Sequence, residues 1–202
     1  MQAAGVSRGY IITNANGQPV ASHSVLEPIA SFLATDKIDY DKHEAIFFGV
    51  SPRTGELMSA FLWKTKRGQG CGGIRLRTYN SVEEYIRDGL RLAIGMGRKS
   101  SLAGLYWGGG KGIIPSDSNM ANPRRKELLE DYGEFLSSLR GCYVAAEDVG
   151  ITVDDVDVVV SCVNYRPSGF YSSICCPFCH QHFNASQYFG ALLFAMLRCT
   201  VL

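Results

Sequence analysis

The stretch Leu105-Tyr106-Trp107-Gly108-Gly109-Gly110-Lys111-Gly112 decides how this 202-residue chain is read. Three consecutive glycines forfeit backbone entropy and pack no side chain, so they belong where the main chain is approached closely, here by a ligand. The lysine after them is a candidate reagent, and a second lysine, Lys99, lies twelve residues upstream. The phosphate reading fails on spacing. A Walker loop needs a glycine five positions before its Gly-Lys pair and a Ser or Thr after it, whereas this chain has Leu105 and Gly112.

Working outward, three more motifs accompany this one: Cys71-Gly72-Gly73-Ile74-Arg75, Gly95-Met96-Gly97-Arg98-Lys99 and Ala146-Glu147-Asp148-Val149-Gly150. In this order and at these separations, the set resembles the N-terminal, substrate-binding and dimerisation domain of the glutamate/leucine/phenylalanine/valine dehydrogenases, over residues 40–162. The resemblance implies an α/β fold, a mixed sheet flanked by helices. It also implies an oxidoreductase that deaminates an L-amino acid to its 2-oxo acid, with NAD or NADP as hydride acceptor. By the same resemblance, Lys99 binds the substrate α-carboxylate and Lys111 is the catalytic lysine, polarising the 2-oxo carbonyl and activating water. Asp148 exchanges a proton with the substrate amine, Gly72 and Gly73 line the substrate pocket, and Met96 belongs to the substrate-binding set. No residue is assigned to the cofactor or to a metal.

The residue types suit that chemistry. Once hydride has left the α-carbon, water must add to the iminium and ammonia must leave, which requires a base and an acid near neutral pH. A solvated lysine is too weak an acid–base partner. Burying Lys111 beside a second cation such as Lys99 lowers its pKa on two counts, and Asp148 can relay the proton. Taken singly, each is the kind of charged residue that usually lies on a surface or caps a loop; the ordered set carries the argument.

Position 71 bears on the substrate. In the glutamate branch of the family a lysine precedes Gly-Gly-x-Arg and pairs with the substrate's side-chain carboxylate, whereas this chain has Cys71. A second carboxylate left unpaired in the pocket costs about 3 kcal/mol or more, so a neutral, apolar amino acid is expected. Two departures from the family pattern, Gly97-Arg98 before Lys99 and Ile113 after Lys111-Gly112, remove no reactive group. A dinucleotide fingerprint, Gly68-Gln69-Gly70-Cys71-Gly72-Gly73, is also present, but it must open a helix, and the alternating residues 74–79 read as a strand.

The hydrophobic content of 46% suits one sizeable core, and the net charge of +1 argues against a nucleic-acid surface. With no basic-then-apolar leader and no apolar run near about 20 residues, an intracellular location is expected, cytoplasmic or mitochondrial rather than secreted or membrane-bound. Periodicity predicts that residues 1–40 are an N-terminal helical segment, on a helical stripe at residues 25–37 interrupted early by Pro28, and that a strand hairpin spans residues 44–64. It predicts a helix opened by a capping box at Ser81-Val82-Glu83-Glu84, with Val82, Tyr85, Ile86, Leu90, Ala93 and Ile94 on one face. A second helix should start at an Asn122-Pro123 cap, and a short strand over residues 142–146 should deliver Asp148. Thr152-Val153-Asp154-Asp155 starts a further helix.

The domain therefore spans residues 41–162, and residues 163–202 read as an atypical, cysteine-rich and poorly ordered tail. Five of the seven cysteines lie at or beyond Cys162, and no Asp, Glu or Lys follows Asp157. Cys176-Pro177-Phe178-Cys179-His180 matches a haem-attachment pattern and, with His182, a metal-ligand pattern; neither is adopted, because the ligands crowd together and no export route is expected. The nicotinamide-binding Rossmann domain of the family is not found in this tail. Two functions follow: the substrate half of an amino-acid dehydrogenase, in a homo-oligomer, or a truncated, non-catalytic oligomerisation fragment of one.

Overall fold

The computed structural model describes residues 1–164, so the expectations for the tail, including the Cys176–His182 patterns, lie outside the described residues. Seven strands, β1 (Arg8–Thr13), β2 (Pro19–Ala21), β3 (Ala45–Val50), β4 (Leu57–Leu62), β5 (Gly70–Leu76), β6 (Gly108–Ile114) and β7 (Tyr143–Glu147), form one sheet in the order β2-β1-β3-β4-β6-β5-β7. Pairing is antiparallel from β2 across to β6, while β5 runs parallel to both β6 and β7. Helices α1 (Glu27–Thr35) and α2 (Val82–Leu102) cover one face; α3 (Asn122–Ser138) and α4 (Val153–Ser161) cover the other. The architecture is α/β, a mixed sheet flanked by helices. Among the described residues no helix is long and apolar enough to cross a membrane.

The helix starts follow from their caps. Ser81 accepts a hydrogen bond from the Glu84 N–H at 3.1 Å, and the Glu84 carboxylate reaches back to the Asn80 N–H rather than to Ser81. Thr152 and Asp155 form a complete, reciprocal box at the start of α4. In α3 the N-cap is Ala121, one residue before the expected Asn122, with Pro123 inside the first turn where its missing N–H costs nothing. The α3 stripe Leu128, Leu129, Tyr132, Phe135, Leu136 and Leu139 is buried as its spacing predicts, whereas Val82 of α2 is 62% exposed.

Two expectations are corrected. Residues 1–40 are not helical throughout: the stripe at residues 25–37 does form α1, but the β1–β2 hairpin precedes it, and β1 pairs with β3, so the sheet runs without interruption across residue 41. Alternation of burial along β1, with Ile11 buried and Tyr10 and Ile12 exposed, is the strand signature that the helical stripe at residues 25–37 obscured. The second correction concerns the glycines. Gly108-Gly109-Gly110 is no ligand-approach loop but the buried first half of β6, and Gly70, Gly72 and Gly73 lie within β5.

Close packing explains those glycines. A Cβ on Gly109 would sit 2.4 Å from the Ala93 carbonyl oxygen of α2, and one on Gly110 would meet the Tyr143 ring at 2.8 Å. Along α2 the small residues Gly89, Ala93 and Gly97 recur every four positions, and a Cβ on Gly89 or Gly97 would strike the Phe61 or Trp63 ring. Helix and strand therefore touch backbone to backbone. On the other face, the fully buried Asp131 of α3 accepts hydrogen bonds from Ser51 and from the Arg53 Nε at 2.6 Å, clamping the β3–β4 turn.

This contact makes a prediction. Gly109→Ala forces α2 away from β6 and lowers stability by about 1–3 kcal/mol in denaturant melts. Gly95→Ala, on the open side of α2 with nothing within 4 Å of the new methyl, is neutral or stabilising by up to about 1 kcal/mol. Equal effects of the two substitutions contradict the packing account.

Candidate active site

The parallel strands β5, β6 and β7 bring Arg75, Lys111 and Asp148 together, as the carboxyl ends of parallel strands commonly do for ligand crevices. Lys111 lies between Gly109 and Ile113, both of which meet the α2 side of the sheet, and alternation puts its side chain on that side, 3% exposed. Asp148 follows β7 directly. Its loop is pinned by the Ile151 N–H on the Asp148 carbonyl at 3.0 Å, by the Leu76 N–H on the Val149 carbonyl at 2.9 Å, and by Gly150 in the left-handed region at φ 80°. Arg125, paired with Asp155, also donates to the Gly150 carbonyl at 2.6 Å.

One carboxylate oxygen organises the cluster. Asp148 Oδ2 lies 2.9 Å from Lys111 Nζ and accepts a hydrogen bond from Arg75 Nε at 2.7 Å. The Arg75 guanidinium also pairs with Asp88 of α2 at 3.0 Å, and Asp88 in turn accepts from the Tyr79 hydroxyl at 2.8 Å. Burial lowers the pKa of the Lys111 amine; the Asp148 carboxylate opposes that shift without cancelling it, and the Arg75 charge adds to it. Burial pushes the Asp148 carboxyl up, but the hydrogen bonds and charges of Arg75 and Lys111 prevail and hold it below the usual carboxylate range. The result is an ionised carboxylate beside an amine that gives up its proton more easily than a solvated lysine.

The remaining candidates fall around this pair. Met96 of α2 lies against Gly72, its Cγ 3.2 Å from where a Cβ there would stand. Gly73 has no room for a side chain either, because a Cβ would come within 2.6 Å of the Asp148 Cβ. The β5–β6 register keeps one offset from Cys71↔Gly109 to Ile74↔Gly112, a Cβ on Gly72 would strike the Gly110 carbonyl of β6, and the buried Tyr143 hydroxyl donates to the Gly72 carbonyl at 2.5 Å. Lys99 is half-buried near the end of α2, three residues from Met96 and eleven from Asp88, a spacing of about three turns that sets all three on one stripe. Its ammonium makes no hydrogen bond or ion pair among the described residues.

The second cation acting on Lys111 is thus Arg75, where the sequence had suggested Lys99. Arg75 was visible in the Gly-Gly-x-Arg motif without a role; Asp88 and Tyr79 carried no signal, since their partners are fixed by the crossing of α2 over β5. A separate groove, lined by Glu44, Phe47, Leu62, Gln69, Arg140 and Cys142, includes none of these residues. The Gly68–Gly73 fingerprint runs into β5 instead of opening a helix, so this motif does not form a Rossmann-type dinucleotide cradle. Among them, no group of three or more His, Cys, Asp or Glu side chains is placed to hold a metal.

Residues 54–165 match the family described as Glu/Leu/Phe/Val dehydrogenase, dimerisation domain. The chain is 37% identical to leucine dehydrogenase of Bacillus subtilis over 128 residues, 63% of this chain and 34% of that protein. It is 40% identical to valine dehydrogenase of Streptomyces coelicolor over 121 residues, 60% of this chain and 33% of that protein. Among solved structures, L-tryptophan dehydrogenase from Nostoc punctiforme aligns with a TM-score of 0.57 at 32% identity, over 61% of this chain and 36% of that one. The chain spans about a third of the length of these curated relatives. Since the matched segment covers more than half of its residues and includes Arg75, Lys99, Lys111 and Asp148, the chain belongs to the Glu/Leu/Phe/Val dehydrogenase family, represented by its dimerisation domain.

Proposed function

We propose that this chain supplies the substrate half of the active site of an NAD- or NADP-dependent amino-acid dehydrogenase acting on a neutral, apolar L-amino acid. The observation that carries the reading is the buried contact between Lys111 Nζ and Asp148 Oδ2 at 2.9 Å. Lys99, an ammonium with no partner among the described residues and on the same α2 stripe as Met96, is suited to the substrate's α-carboxylate. Asp148, held ionised, takes the proton from the substrate's ammonium. Lys111, with its lowered pKa, polarises the carbonyl carbon's oxygen in the reverse direction and activates water for iminium hydrolysis in the forward one. No residue of this chain is assigned to the nicotinamide, and no step of hydride transfer is assigned to the chain.

Cys71, half-buried in β5 between Gly109 and Val144, supplies no cation for a second carboxylate. That favours leucine-, valine- or phenylalanine-like side chains over glutamate. A second reading, an oligomerisation piece without activity of its own, is supported by the family description as a dimerisation domain and by the exposed apolar residues Tyr10, Ile12 and Val20 on the β1–β2 hairpin. A homo-oligomer is expected under either reading.

Two measurements test the proposal. L-Leucine or its 2-oxo acid should protect Lys99 and Lys111 from an amine-modifying reagent, read by mass spectrometry, while glutamate protects neither; equal labelling with and without amino acid contradicts both assignments. Lys111→Ala should lower NAD(P)-linked deamination by at least about 10²-fold, without loss of thermal stability, because a buried amine is removed. If the unsubstituted chain has no such activity yet assembles with full-length subunits, the second reading prevails.

A further inference from the structure

Lys111 and Asp148 alone would form a closed ion pair, in which each charge holds the other in place. A base locked as an ammonium by its only counter-ion cannot take up a proton. The structure avoids this arrangement, because Asp148 Oδ2 is shared between Lys111 Nζ at 2.9 Å and Arg75 Nε at 2.7 Å. A guanidinium stays charged throughout the working range, so it can satisfy the carboxylate permanently while the amine beside it changes state.

Arg75 is itself held. Its NH1 pairs with Asp88 at 3.0 Å, and Asp88 is fixed by the Tyr79 hydroxyl at 2.8 Å. Arg75, Asp88 and Asp148 all have side chains less than a quarter exposed, so solvent screens them only in part. The titratable and charged groups facing the cluster are Arg75 from β5, Lys111 from β6, Tyr143 and Asp148 from β7 and its loop, Asp88 from α2, and Tyr79 with Arg77 stacked 4.7 Å from its ring. Counting the four ionisable partners at the centre, two cations face two carboxylates while Lys111 is protonated, and one cation remains when it is not.

We propose that Arg75 is a positioning residue, anchored by Asp88, that holds the Asp148 carboxylate and thereby leaves the Lys111 amine free to exchange its proton. The inference rests on the reading of Lys111 and Asp148 as acid–base partners, and it assigns to Arg75 and Asp88 roles of orientation and charge balance. Neither residue touches the reacting atoms. Removing Arg75 subtracts a neighbouring cation from Lys111 and leaves Asp148 to Lys111 alone; both changes favour the ammonium.

The test follows each lysine amine of the whole chain by NMR, with ε-¹³C-lysine, across a pH titration. Arg75→Gln should move the Lys111 midpoint to higher pH and Arg75→Lys should leave it near that of the unsubstituted chain, while Asp88→Asn should speed solvent exchange of the Arg75 Nε proton, followed with ¹⁵N-arginine. Dispersed spectra in Arg75→Lys and Asp88→Asn keep the comparison meaningful if Arg75→Gln unfolds. A Lys111 midpoint that is unchanged or lower in Arg75→Gln overturns the proposal, and an Arg75 Nε exchange rate unchanged in Asp88→Asn overturns the anchoring by Asp88. If the midpoints shift as expected while substrate fails to protect the lysines, the electrostatic arrangement stands and the dehydrogenase reading falls.

Discussion

The close seating of α2 on β6 is the constraint from which the rest of the structure follows. Gly89, Ala93 and Gly97 on the helix meet Phe61, Gly109 and Trp63 on the sheet with no space for added methyl groups. A larger residue at any of these positions lifts the helix and opens the space over β6 to solvent. Lys111 lies two residues beyond Gly109 on the same side, so the tight contact that packs the fold also removes water from its amine. Packing and chemistry share one interface.

A lysine held at 3% exposure is a stability cost that the fold offsets with charge, not with solvent. The offset comes from a single carboxylate oxygen, and the same oxygen is engaged by an arginine tied to the opposite wall of the crevice. The sign of the linkage differs between the partners. Asp148, with its pKa held down in the folded state, adds stability above the usual carboxylate range and loses it as pH falls through its lowered value. Lys111, also lowered, makes the folded state relatively more stable as pH rises from its folded pKa towards the ordinary lysine value. The site is therefore most strained below the folded pKa of Lys111, where the amine is forced to carry its charge.

Much of this was legible in the sequence, and the limits have physical reasons. Local signals, such as the Ser81 and Thr152 caps and the α3 leucine and aromatic stripe, fix helices because the groups that satisfy them lie within four residues. The order of the glycine and lysine motifs pointed to Lys111 and Asp148, which the structure brings to 2.9 Å. Glycine, by contrast, carries no strand propensity, so Gly108-Gly109-Gly110 read as a loop; only the helix lying across it shows why a side chain is forbidden. The β1–β2 hairpin was lost for another reason, its six- and three-residue strands being short beside a helical stripe. Arg75 with Asp148, and Arg53 with Asp131, join residues more than seventy positions apart, and pairing at that range is set by topology alone.

The most direct measurement of the central claim is a crystal structure of the chain with the 2-oxo acid of leucine bound. The account predicts the ligand carboxylate on the Lys99 ammonium and the 2-oxo oxygen within about 3 Å of Lys111 Nζ, with Asp148 still held by Arg75. A ligand seated instead in the groove beside Gln69 and Arg140, with Lys99 turned away into solvent, contradicts it.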